Sequence, residues 1–454
     1  MSINYIYLIS LISICYCKEL KFVFEIFRHG ARGPHVEFKN NKDCYNHTWY
    51  DRGELTNVGK RMHYLLGVRN RKKYINETGF LSKTYNPSEV LFQTTDVNRT
   101  IESVYSQLQG LYPYGFGIQL NDQQINVFQN PGIEEKYYIN HSLSNNESLP
   151  FNIQLMPVHV THNQENKYGL QSEKYCPSLK GTAEKRQKRK EIIDIQTNLS
   201  TKYEEMFKTL EGTNDTSFFF NYWNTFKYAD NFFVDEAEGD DFTILKNFSN
   251  FNKIVYEQEM RNFLEADYFG TNYFNKTMVQ LSVSYLMRDI VDMMEKVINN
   301  QSKVKFYAFS AHDTNMAGIE LFNEYINNDT SAKYSPFASN SFYELSYNNE
   351  TNDYYVEYIF NEQVKYNMTF KQFKEKVLNN TMTHEEIVSF CKFEENKVIY
   401  TNYNGKYKHL TFVFCLLDVV LIALFVFFIL SKGKANEQSE SSDNVGALME
   451  NSNN

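Results

Sequence analysis

Residues 28–34 read Arg-His-Gly-Ala-Arg-Gly-Pro and follow a mostly apolar run, Leu20 to Phe27. One imidazole between two guanidiniums on a Gly-containing turn suits a phosphate dianion. The guanidiniums offer planar, paired N–H donors, and a neutral histidine nitrogen can lie in line with the phosphorus. Two further clusters carry related groups: Thr95, Asp96 and Arg99, and then His312 with Asp313. Phosphoryl transfer needs charge neutralised on the phosphate oxygens, an in-line nucleophile and a proton for the leaving oxygen. Arg28, Arg32 and Arg99 can supply the first, with His312 as a further donor. His29 can supply the second, through a phosphohistidine that water then hydrolyses, and Asp313 the third. A carboxylic acid serving as proton donor implies an acid optimum. The competing reading of the first cluster is a basic surface turn beside a strand.

These groups need elements to bring them together. Lys18 to Phe27 reads as a strand apolar on both faces, interrupted by Glu25, an acid for which the sequence offers no partner. Leu55 to Tyr74 is helical in pattern with Thr56 as a cap, Val90 to Gln93 is a short strand, and Asn98 to Tyr112 is the next helix. Val283, Leu286, Met287, Ile290, Met294 and Val297 recur at helical spacing. Val304 to Phe309 follows as a strand, with residues 310–314 capping a helix from Met316 to Tyr325, and Phe342–Tyr347 with Tyr354–Phe360 forms a hairpin. Strand–helix alternation argues for an α/β fold, a three-layer sandwich on a mainly parallel central sheet. Three strands end in polar clusters, where ligands bind in such sheets. Between about residues 120 and 280 the pattern changes to an inserted, mostly helical cap subdomain. Its charged run at 184–191 reads as a solvated helix face rather than an anion site.

The chain has 454 residues and a net charge of −9, which argues against a nucleic-acid partner. Residues 1–17 are expected to be a signal peptide, with an apolar segment from Tyr5 to Tyr16. An apolar run of spanning length, Leu410 to Leu430, is expected to form one C-terminal transmembrane helix containing Asp418. The expected organisation is thus an ectodomain over 18–408, a span over 410–430 and a cytoplasmic tail over 431–454, in a single-pass type I membrane topology. Asn-X-Ser/Thr sites recur along the chain, Asn46, Asn76, Asn275 and Asn367 among them, and their absence beyond Lys432 fits a glycosylated domain on the other side of the membrane. The ectodomain keeps Cys44, Cys176 and Cys391, which permits one bridge and one free thiol. No Cys or His spacing suggests a metal, and no cofactor is expected. His159, His162 and the Met293–Met294 pair read as structural or surface residues.

The pair RHGARGP and SAHDTN resembles the two hallmarks of the histidine acid phosphatase family. The segments KELKFVFEIFRHG, GELTNVGKRMHYLLGVRNRKKY, QTTDVNRTIES and VKFYAFSAHDTNMAG are similar to its prostatic and lysosomal branch. The resemblance implies an acid phosphatase acting on small phosphate monoesters, membrane-anchored in a lysosomal or endosomal lumen or at the cell surface, with a homodimer left open. Residue by residue it implies His29 as nucleophile, Asp313 as proton donor, and Arg28, Arg32, Arg99 and His312 as the phosphate-binding set. It further implies a Cys176–Cys391 disulfide, leaving Cys44 without a mate. Gln93 departs from the family, standing where a second Arg is usual. Asn98, a glycosylation site beside Arg99, is expected to be unmodified. The alternatives are a non-catalytic membrane glycoprotein on the same fold, or a lysophospholipid or inositol phosphate phosphatase.

Overall fold

The computed structural model describes residues 18–36, 38, 52–127, 146–161, 175–215, 221–239, 245–328 and 333–393. The chain divides into two compact units, Met1–Phe393 and Glu394–Asn454, and every described residue lies in the first.

Strand β1 (Lys18–Arg28) is buried from Phe22 onward. Its side chains alternate: Phe22, Phe24 and Ile26 enter one apolar cluster, while Val23 and Phe27 enter another. A strand with two apolar faces belongs at the centre of a covered sheet. After β1 come α1 (Asn57–Arg71), β2 (Val90–Thr95), α2 (Asn98–Leu111) and β3 (His159–Thr161). The cap helices are α3 (Lys190–Lys202), α4 (Glu204–Glu211), α5 (Tyr222–Glu238) and α6 (Lys253–Asp267). The chain then returns through α7 (Lys276–Ile298), β4 (Phe306–Ala311), α8 (Asp313–Asn327), β5 (Asn340–Asn348), β6 (Asp353–Phe360), β7 (Gln363–Thr369), α9 (Phe370–Asn380) and α10 (His384–Cys391).

The sheet order is β3-β2-β4-β1-β5-β6-β7. Val104, Leu108 and Leu111 of α2 cover the Val23 face, and Leu286 and Ile290 of α7 with Ile319 and Phe322 of α8 cover the Phe24 face. Three layers result. The expectation of a mainly parallel sheet is corrected to a mixed one. Pairs β3–β2, β2–β4 and β4–β1 are parallel, but β1–β5, β5–β6 and β6–β7 are antiparallel. The physical reason is the connections: tight turns join β5 to β6 and β6 to β7, and such turns permit only antiparallel neighbours.

The Thr56 hydroxyl accepts from the Gly59 N–H at 3.1 Å and caps α1. Glu25 finds partners that its own segment did not reveal. It accepts from Asn70 Nδ2 at 2.9 Å, Gln107 Nε2 at 2.6 Å and Asn340 Nδ2 at 3.3 Å. The charged run at 184–191 is partly spent on structure, since Arg186 donates to Gly270 O at 2.9 Å and Arg189 to Ala266 O at 3.2 Å, satisfying carbonyls at the end of α6. Cys176 and Cys391 form a disulfide across 215 residues, with Cα atoms 4.7 Å apart. Cys44 lies outside the described residues.

The transmembrane element of the expected fold is also corrected. Among the described residues no helix is long and apolar enough to cross a membrane. The longest described helix, α7 with 23 residues, carries Arg288, Asp289, Asp292, Glu295 and Lys296, so only one stripe of it is apolar. The single-pass membrane anchor, the type I topology and the lysosomal or cell-surface placement that depended on it therefore lose their support. The run Leu410 to Leu430, with Asp418, lies outside the described residues, as does the expected signal peptide.

Candidate active site

Three parallel strands, β1, β2 and β4, run side by side and deliver their C-terminal ends to one edge of the sheet. At that edge β1 ends in Arg28 and leads into His29, β2 ends in Thr95 ahead of Arg99, and β4 leads into His312 and Asp313. The turn after β1 is fixed from several sides. Arg28 N–H donates to Ser339 O at 2.9 Å, His29 N–H to Ala311 O at 3.0 Å, and Gly30 N–H to Ser103 Oγ at 3.1 Å. Gly30 must be glycine, because a Cβ there would lie 2.4 Å from Gly59 O.

The His29 Nδ1 lies 2.9 Å from Gly30 O, a carbonyl that can only accept, so Nδ1 carries the proton and Nε2 keeps its lone pair. Burial, then the guanidiniums of Arg99 and Arg28, then His312 and Arg32, hold this imidazole well below its usual range and hence neutral. Arg28 is buried, donating to Tyr334 Oη at 2.8 Å and Ser335 O at 2.7 Å, and its Nη2 pairs with Asp313 Oδ2 at 2.9 Å. Arg99 reaches across to Nδ1 of His312 at 3.5 Å. Burial and the like charges of Arg32 and Arg28 push Arg99 down to about 10 despite the opposing carboxylates. His312, at the N-terminal cap of α8, has Nε2 3.0 Å from Thr95 Oγ1. Burial pushes the Asp313 carboxyl up, but Arg28, Arg32 and His312 and a hydrogen bond from Tyr268 outweigh it, leaving it well below the usual carboxylate range. A cavity of about 260 Å³ opens here, lined by His29, Arg32, His35, Val97, Arg99, His312, Asp313 and Thr314.

All six residues read from the three clusters meet at this one edge. Asp96 is exposed and His159 sits exposed on β3, so neither lines the cavity. Gln93 accepts a hydrogen bond from the Tyr307 hydroxyl within the sheet, so this departure from the family touches strand packing. Asn98 donates to Glu54 at 3.3 Å beside Arg99. Two residues at the site escaped the sequence. His35 lines the cavity one residue beyond the motif, and burial with Arg32 pushes it down to about 4. Asp230, on α5, binds Arg32 through both carboxylate oxygens at 2.6 and 3.3 Å. No local pattern marks an acid 198 residues from its partner; the only signal was that a buried cluster of arginines needs counter-charge.

Comparison with known proteins agrees with the geometry. The family model for the histidine phosphatase superfamily (branch 2) matches residues 19–361. Lysosomal acid phosphatase of Xenopus laevis is 25% identical over 364 residues, covering 78% of this chain and 72% of that protein. Prostatic acid phosphatase of Mus musculus is 26% identical over 360 residues, covering 75% and 82%. Among solved structures, the phytase from D. castellii superposes with a TM-score of 0.54 at 15% identity, covering 86% of this chain and 85% of that one. Klebsiella sp. ASR1 phytase gives 0.54 at 12% identity, covering 80% and 96%, and these two likenesses speak to the fold. The chain belongs to the histidine phosphatase superfamily, in its acid-phosphatase branch, and is an acid phosphatase-type hydrolase.

Proposed function

We propose that the chain hydrolyses phosphate monoesters through a covalent phosphohistidine. One observation carries this reading. The Nε atoms of Arg28, Arg32 and Arg99 are all buried without a hydrogen-bond partner, and all three guanidiniums act on one neutral imidazole. Buried donors left unpaired cost free energy, and an oxyanion placed among them removes that cost. Arg28, Arg32 and Arg99 hold the phosphoryl oxygens, with His312 set beside Arg99 and Thr95, while Nε2 of His29 attacks phosphorus as the bond to the leaving oxygen breaks. Asp313 hands the leaving oxygen a proton, then takes one from the water that hydrolyses the phosphohistidine, releasing phosphate. Phosphorylated inositol is a second substrate class to assay, on the strength of the fold shared with phytases.

The test is hydrolysis of p-nitrophenyl phosphate at acid pH by wild type and by His29→Ala, with rapid quenching of a labelled ester. Loss of turnover in the variant by about ten-thousandfold, and an acid-labile adduct in the wild type only, are expected. Equal rates for the two proteins would end the proposal.

A further inference from the structure

Asp230 has no part in the reaction as set out above, yet it is buried at the phosphate cradle. Its carboxylate takes Nη2 and Nη1 of Arg32 at 2.6 and 3.3 Å and the backbone N–H of His35 at 3.0 Å. Nη1 of Arg32 also donates to Gly33 O at 3.0 Å. A guanidinium has five N–H donors, so this arrangement spends three and leaves Nε–H and one Nη2–H unspent on a side chain that lines the cavity. We propose that Asp230 is a positioning residue that fixes Arg32 and trims the cradle's charge, so that the enzyme takes its ester as the monoanion. The inference rests on the phosphatase reading above and adds the protonation state of the substrate.

The charge argument follows from the groups that face one another. Three guanidiniums, Arg28, Arg32 and Arg99, meet two carboxylates, Asp313 paired to Arg28 and Asp230 paired to Arg32. The His29 and His35 imidazoles are held neutral. Arg99 can only donate, so Nδ1 of His312 accepts and that ring is neutral as well. Glu54, which also attracts Arg99, accepts from Asn98 and does not line the cavity, so the groups counted at the cradle carry one net positive charge. The other charged or titratable groups near Asp230 have their own partners. Lys227, one turn away on α5, pairs with Glu211 of α4; Arg261 of α6 pairs with Glu257; Tyr334 accepts from Arg28.

A phosphate monoester loses its second proton near pH 6, so below that pH it is a monoanion that neutralises the cradle, and above it a dianion that overfills it. The monoanion also brings the proton that Asp313, ionised in the free enzyme, must deliver. That proton passes through the Asp313 carboxylate to the leaving oxygen as the P–O bond breaks and the N–P bond forms. The alcohol departs neutral, and the phosphohistidine retains the single negative charge.

The test measures kcat/KM from about pH 4 to about pH 8 for wild type, Asp230→Asn and Asp230→Glu, with two esters of different second pKa. The wild-type alkaline limb should follow each ester's own pKa. Asp230→Asn adds one positive charge to the cradle, moving that limb up by about one pH unit, and frees Arg32, lowering kcat/KM in acid by about ten- to a hundredfold. Asp230→Glu should restore most of both. A limb at the same pH for both esters in the wild type would overturn the inference, and so would a loss in Asp230→Asn by one constant factor at every pH. A wild type inactive on both esters would instead strike the phosphatase reading, and this inference with it.

Discussion

Replacing Glu25 by Gln should make the fold less sensitive to pH, and the size of the effect can be worked out. Glu25 is fully buried in β1, against the face covered by α1 and α2. Burial raises its carboxyl from the ordinary 4.5 to about 7, and the attraction of Arg69 with the amide donors of Asn340, Gln107 and Asn70 only partly opposes this. The folded chain therefore binds this proton more tightly than the unfolded chain does. The associated stability is fully present below about pH 4.5 and is lost as pH rises through about 7, a total of about 3 kcal/mol. Between pH 5 and 7.5 the loss is about 2 kcal/mol, which for a chain of this size is about 2–3 °C in Tm. Gln is nearly isosteric with the protonated acid and does not titrate. The assay is urea unfolding, with the disulfide intact, at both pH values for wild type and Glu25→Gln. The variant should keep about 2 kcal/mol that the wild type loses. If both proteins lose the same stability between the two pH values, Glu25 is not the titrating group and the reasoning fails.

Asp313→Asn should lower kcat by about a hundred- to ten-thousandfold for alkyl esters such as glycerol phosphate, whose leaving oxygen needs the proton most. The loss should be much smaller for p-nitrophenyl phosphate; equal losses on both, compared in parallel initial-rate assays, would remove Asp313 from proton delivery. Replacing both Cys176 and Cys391 with Ser should cost about 2–5 kcal/mol, because the bridge closes a loop of 215 residues. Thermal unfolding with and without reductant reads this, and identical transitions would show that the bridge adds no stability.

The parts of this protein legible in the sequence are those whose logic is local. Alternation on both faces of β1 announced a central strand, and Thr56 before an apolar period announced the start of α1. The six residues that meet at the sheet edge were legible as a cluster because each ends, directly follows or closely trails a parallel strand. What stayed hidden depends on distant pairing. Nothing in the segment KFVFEIF indicates that Glu25 will meet Asn70, Gln107 and Asn340, since those residues arrive from α1, α2 and β5. Asp230 sits in an ordinary cap helix, and only the fold turns it toward Arg32. The antiparallel half of the sheet was underestimated for a related reason. Its last strand, β7, carries polar residues at alternate positions, as an outer strand can, so it lacks the apolar run that marked β1 and β4.

Both hidden acids bear on acidity, through different physics. Asp230 acts on the ligand: it sets the charge that a phosphate ester meets. Glu25 acts on the fold, from the other end of a buried polar column. Gln107 donates to Glu25 while its Oε1 lies 3.3 Å from His63 Nδ1, and His63 Nε2 lies 3.1 Å from the carbonyl of Arg28, the residue that opens the cradle. Burial pushes His63 down to about 4, so the ring stays neutral wherever Glu25 is changing charge. A neutral imidazole offers one N–H and one acceptor, and the Arg28 carbonyl can only accept, so Nε2 carries the proton. Nδ1 must then face the Gln107 side chain as an acceptor, which its amide N–H₂ satisfies only if the amide is turned over. A turned amide would present its oxygen to Glu25, and that contact is favourable only when Glu25 is protonated. Low pH therefore favours a fully paired column behind the nucleophile at the same time as it favours the monoanionic ester in front of it. Because the two effects reside in separate residues on opposite sides of the Arg28 turn, Glu25→Gln should leave the alkaline limb of kcat/KM where it is, and Asp230→Asn should leave the pH dependence of unfolding near that of the wild type.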